Sequence, residues 1–95
     1  QKNEARIVAI DGFRIDAIPQ GDMLVISNMD KPGVIGNLGT LLGKNNINIA
    51  GLQMGRKAIG GKQLIVLNVD GQVSDAVLQE INSLEEILDV RLVKL

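Results

Sequence analysis

Apolar and polar residues alternate along residues 5–18, ARIVAIDGFRIDAI, on either side of Asp11-Gly12, a dipeptide that supplies the positive φ values of a tight type I′ turn. The pattern predicts a β-hairpin. A lone hairpin buries too little surface to be stable, so this one is expected to lean on the adjoining domain or on a neighbour. Pro19-Gln20-Gly21 interrupts the alternation and reads as a hinge. Beyond it the pattern runs strand, helix, strand, strand, helix, strand. The first strand spans residues 23–29 and the first helix 32–45, with Pro32 at its first position. Val34, Ile35, Leu38, Leu41 and Leu42 share the core face of that helix at 3.6-residue spacing, while Gly33, Gly36, Gly39 and Gly43 gather on another. An interior glycine costs about 1 kcal/mol of helix stability relative to alanine. The glycine face therefore has two readings, an unconstrained exposed surface or a backbone that a ligand or second subunit approaches. The second strand, 47–54, sets Ile47 and Ile49 against Asn48, Ala50, Leu52 and Met54. A continuous apolar run, LIVLNV, marks the third, 63–69, as an inner strand. Ser74 is placed to cap a second helix with Val77, Leu78, Ile81 and Leu84 on one side, and residues 87–94 form the last strand.

Two such βαβ units interleave most simply as an α+β, ferredoxin-like sheet, βαββαβ, with antiparallel strands in the order 4-1-3-2 and both helices on one face. Leu24, Ile26, Ile65 and Leu67 then lie under the helices. Val25, Val66 and Val93 look the other way, making a second face too apolar to stay wet. The second strand becomes an edge with few charges to discourage pairing, and a homodimer through that edge, forming an eight-stranded sheet, is expected. The chain divides into residues 1–21, a hairpin and hinge read as the end of a preceding domain, and residues 22–95. Gln1 in place of a methionine suggests a fragment of something longer.

Composition acts mainly by exclusion. The single aromatic, Phe13, and a net charge of −1 leave neither stacking platform nor electrostatic attraction for nucleic acid. Without Cys or His there is no imidazole or thiolate metal ligand and no usual general base or thiol nucleophile, so no catalytic residue and no metal site is expected in this chain. No apolar run approaches the length of a membrane span and no signal-peptide pattern opens the chain, which makes a cytoplasmic protein the default. The basic run Gly55-Arg56-Lys57-Ala58-Ile59-Gly60-Gly61-Lys62 fails as a P-loop, because Arg56 stands where the leading glycine belongs and Gln63 follows Lys62. The helix glycines are spaced GxxGxxG, which is no dinucleotide fingerprint. Glu85 and Glu86, adjacent after a helix, read as surface charges, as do Arg6 and Arg14 on the hairpin.

The remaining candidate chemistry lies where the first strand enters the first helix, NMDKPGVIGNLGTLLGKNNIN, residues 28–48. Gly33 at the helix start leaves backbone N–H groups with a partial positive charge open to a carboxylate or phosphate oxygen. Asn28, Asp30 and Asn48 supply polar side chains around it.

The run DKPGVIGNLGTLLGKNNINIAGLQMGRK resembles the ACT domains, amino-acid-sensing regulatory modules, and within them is most similar to the C-terminal domains of D-3-phosphoglycerate dehydrogenases. The resemblance covers residues 22–95, and the hairpin is similar to the segment preceding this domain in longer forms of that enzyme. It implies a small amino acid, L-serine first, as feedback effector of attached dehydrogenase domains that use NAD. Carried over residue by residue, the effector contacts fall at Asn28, Asp30, Gly33 and Asn48, with Asp30 pairing the α-ammonium and the two asparagines donating to the carboxylate. Asn28 stands where other members carry histidine or tyrosine, and Asp30 where others carry asparagine. If two copies pair through the second strand, Asn48 of one is expected near Asn28, Asp30 and Gly33 of the other, and the effector then bridges two chains. Asp30 and Asn48 have a plainer reading as residues that merely cap turns, and two alternatives for the whole stay open: the similar regulatory domain of bacterial L-serine dehydratase, and an oligomerisation module without a ligand.

Overall fold

The computed structural model describes residues 6–10, 13–17, 22–56 and 62–94, and the side chains of 22–55 and 62–94. In chain order the elements are β1 (Arg6–Ile10), β2 (Phe13–Ala17), β3 (Asp22–Met29), α1 (Val34–Lys44), β4 (Asn48–Arg56), β5 (Lys62–Asp70), α2 (Asp75–Asn82) and β6 (Ile87–Lys94). β3 carries the sheet: it pairs antiparallel with β5 on one side and β6 on the other, and β4 adds to the far side of β5, giving the order β4-β5-β3-β6. This is the expected ferredoxin-like arrangement, with 4-1-3-2 read from the β6 edge. The register pairs Asp22, where β3 begins, with Lys94, where β6 ends.

Strand alternation sorts the sheet residues as expected. Leu24, Ile26, Ile65, Leu67 and Val69 form one cluster with Val34, Leu38, Leu41 and Leu42 of α1 and Val77 and Ile81 of α2. Ile35 departs from expectation: it is 40% exposed, because the stripe through residues 34, 38, 41 and 42 leaves it on the flank of the helix. Met23, Val25, Leu64 and Val66 point away from the helices and are nevertheless buried, the last two completely. β1 and β2 form a separate antiparallel pair whose register, Ile10 opposite Phe13, leaves two residues for the turn, and β2 lies alongside β4 with Cα atoms within 8 Å. The turn at Asp11-Gly12, the hinge at 19–21 and the loop at 57–61 lie outside the described residues, as do the side chains of Arg6, Arg14 and Arg56.

β4 contains an irregularity that the alternation did not reveal. Ile49 pairs with Val69 and the next pair is Gly51 with Asn68, so Ala50 is an extra residue. A bulge of this kind reverses the side-chain parity beyond it. Leu52 and Met54, expected opposite Ile49, therefore share its side of the sheet, where they stay 37% and 49% exposed. A small residue suits the site: a Cβ on Gly51 would lie 3.1 Å from Asn68 Oδ1.

Candidate functional site

β3 ends at Met29, whose N–H donates to the carbonyl of Glu86 at 2.9 Å and ties the exit of the strand to the chain entering β6. Residues 30–33 then turn the backbone into α1. Gly33 is the N-cap, at φ 89°, a left-handed conformation that a side chain disfavours. Pro32 lies in the turn ahead of the cap, two positions before the first helical residue instead of at it, because the glycine takes the cap and Val34 opens the helix. No side chain caps this end and its first turn holds no acidic residue. The first N–H groups of a helix have no partner within it, so this end offers donors and positive potential without a resident acceptor from a capping side chain. A Cβ built on Gly33 or Gly36 would meet nothing within 4 Å, which leaves room at the backbone.

Asn28 lies on the helix-facing side of β3 and is fully buried. Its Nδ2 donates to the carbonyl of Met29 at 2.9 Å and to Gln63 Oε1 at 3.0 Å. Both N–H groups are thus used within the chain, and Oδ1 has no hydrogen-bond partner. Asn28 was expected to donate to a ligand carboxylate; the group it has left is an acceptor. Gln63, its direct partner across the β3–β5 ladder, is 5% exposed and turns its Nε2 toward Met54 Sδ at 3.6 Å, a weak contact because a thioether is a poor acceptor. Sequence reasoning passed over Gln63. The signal was the one polar side chain opening an apolar run, but its partnership with Asn28, 35 residues away, is visible only in the register.

Asp30 is half-buried just after β3 and is engaged within the chain. Asn28, Asp30 and Gly33 thus share the corner between β3 and α1. Asn48 does not join them. It is exposed at the start of β4, opposite Asp70, whereas Asn28 lies opposite Gln63. Seven residues of β5 separate those two rows, about 23 Å at strand spacing. One chain therefore holds three of the four expected contacts in one place and the fourth at the far end of the sheet.

A second recess, of about 290 Å³, opens between α1 and α2 and is lined by Asn37, Thr40, Leu41, Lys44, Glu80, Ser83 and Leu84. Lys44 Nζ reaches Glu80 Oε2 at 2.9 Å across it, and this hydrogen bond and charge hold the Glu80 carboxyl below its ordinary value. Among the described residues no helix is long and apolar enough to cross a membrane.

Comparison with known proteins agrees with this fold. The family profile described as "ACT domain" matches residues 23–86. D-3-phosphoglycerate dehydrogenase of Bacillus subtilis is 42% identical over 90 residues, which cover 95% of this chain and 17% of that protein. The enzyme of the same name from Archaeoglobus fulgidus is 45% identical over 95 residues, 98% of this chain and 18% of that protein. The chain thus spans less than a fifth of the relatives it matches. Among solved structures, the ACT domain from GTP pyrophosphokinase of Chlorobium tepidum superposes with a TM-score of 0.60 at 16% identity, over 76% of this chain and 95% of that one. The C-terminal domain of the MgtC protein from Mycobacterium tuberculosis gives 0.59 at 13% identity, over 92% and 93%; both likenesses concern the fold alone. From the matched residues, the sheet order and the relatives together, this chain belongs to the ACT domain family.

Proposed function

We propose that this chain is the amino-acid-sensing regulatory domain of a cytoplasmic D-3-phosphoglycerate dehydrogenase, with L-serine as its effector and NAD used by attached catalytic domains. The observation that carries this reading is the pairing, in one corner, of a helix start without a side-chain cap and a buried acceptor without a donor, Asn28 Oδ1. Those two needs are met by the two ends of an amino acid: the carboxylate accepts from the N–H groups at the start of α1, and the ammonium donates to Asn28. The similarity to D-3-phosphoglycerate dehydrogenases along nearly the whole chain supports the choice of serine biosynthesis. Asn48 enters the site from a second copy, paired through the β4 edge, since its own chain keeps it about 23 Å from Asn28. Ligand and dimer are then linked, because a ligand that binds only the dimer stabilises it by mass action.

Titrating wild type and Asn48→Ala with L-serine, followed by calorimetry and sedimentation, tests the proposal. Asn48→Ala is expected to weaken binding by about 1.5–3 kcal/mol, the worth of a hydrogen bond to a charged group, and to reduce serine-induced dimerisation in parallel. Equal affinities, or serine bound by a monomer, would remove the bridging role. A dimer that takes up no serine would leave an oligomerisation module.

A further inference from the structure

The corner between β3 and α1 contains one buried polar residue that the resemblance does not assign to the ligand, Gln63. We propose that Gln63 is the positioning residue that fixes which atom of Asn28 faces the ligand, and so makes this point of the site select for a donor. The inference rests on the reading of the domain as an amino-acid binder.

The argument is one of hydrogen-bond polarity. A carboxamide has two donor hydrogens on nitrogen and an acceptor oxygen, and it chooses between two flipped orientations by its neighbours. Around Asn28 both neighbours present oxygen: the Met29 carbonyl at 2.9 Å and Gln63 Oε1 at 3.0 Å. Flipping the Asn28 amide would set its oxygen against both. The Met29 carbonyl belongs to the backbone, tied in place by the Met29 N–H to Glu86, whereas Gln63 is the member of the pair that evolution or mutagenesis can change. Its own orientation follows the same rule, with Oε1 toward the Asn28 nitrogen and Nε2 toward the sulfur of Met54. Donation thus runs outward from Asn28, to the Met29 carbonyl on one side and through Gln63 to Met54 on the other, and the buried side-chain atom left unused is Asn28 Oδ1. That atom is sealed from solvent, so a ligand reaches it by displacing its cover, and only a donor gains from arriving. An α-ammonium fits; a second carboxylate, or a ligand with a methylene at that position, does not.

The experiment is a calorimetric titration of wild type, Gln63→Met and Gln63→Glu with two probes, L-serine and 3-hydroxypropionate, which is serine without its ammonium. Wild type should prefer L-serine by at least tenfold. Gln63→Met, close in shape but without the oxygen, should narrow that preference several-fold through weaker serine binding, while Gln63→Glu, which keeps an oxygen toward Asn28, should retain it. A folded Gln63→Met variant with an unchanged preference overturns the role of Gln63 and leaves amino-acid binding standing. A wild type that binds neither probe overturns both readings. Should Gln63→Met fail to fold, the side-chain amide of Asn28 in wild type still decides: its NH₂ protons should exchange slowly with solvent before and after L-serine is added. Fast exchange, or NH₂ signals that move as they engage the serine carboxylate, would overturn the proposed orientation.

Discussion

Two glycines three residues apart should answer the same substitution with opposite signs. Gly33 sits at φ 89°, where a Cβ is strained whatever the space, and Gly33→Ala is expected to destabilise the domain by about 1–2 kcal/mol. Gly36 has helical geometry and open space, so Gly36→Ala should stabilise it by about 0.5–1 kcal/mol. Urea unfolding of the two variants checks both. The sequence made the glycine row conspicuous but could not separate its members, since spacing does not report φ. The same limit explains Asn28, whose residue type and place in the motif were legible while its free atom was not. Which end of an amide is used depends on Met29 and Gln63, and only the folded ladder brings the latter within 3.0 Å.

The helices differ in how their ends are held. α1 starts without a side-chain cap, whereas Ser74 caps α2, its Oγ accepting from the Val77 N–H at 3.2 Å, with Asp75 in the first turn. Ser74→Ala should therefore cost about 1 kcal/mol, measured by thermal or urea unfolding. The Lys44–Glu80 pair between the helices gives a pH dependence of known sign. Because the Glu80 pKa is lowered in the folded state, the pair stabilises the domain above the ordinary glutamate range and loses that contribution as pH falls through the lowered value. Unfolding midpoints of wild type and Glu80→Gln should differ at about pH 7 and converge once the pH has fallen below the lowered value, and added salt should narrow the difference, as both side chains are exposed. At this scale the sequence was most readable: hydrophobic period placed the six core elements and their order. The bulge at Ala50 escaped because one inserted residue leaves the composition of a strand unchanged while turning Leu52 and Met54 to its other side.

Across the whole molecule, the helix-free face of the sheet poses the largest energetic question. Leu64 and Val66 are fully buried there, and β2 of the hairpin lies beside β4, the strand that pairs with β5. If the hairpin supplies the cover, Leu64→Ala should cost about 2–5 kcal/mol in the full chain and much less after deletion of residues 1–21, because the leucine would then already be exposed. A double-mutant cycle of the substitution and the deletion measures the coupling. The deletion should also raise self-association, through the apolar surface it uncovers. The two edges of the sheet are unequal in the same sense. β6 carries Asp89, Arg91 and Lys94, charges that oppose pairing with another strand, whereas β4 carries none from Asn48 to Gly55.

The pairing of Asp22 with Lys94 has an architectural consequence. The polypeptide enters the ACT unit and leaves it at neighbouring points on one rim, a single strand spacing of about 5 Å apart. Such a unit behaves as a cassette. Spliced into a surface loop of an unrelated protein, it would ask the flanking segments to separate by no more than a hairpin does, so the host keeps its geometry while gaining a folded domain.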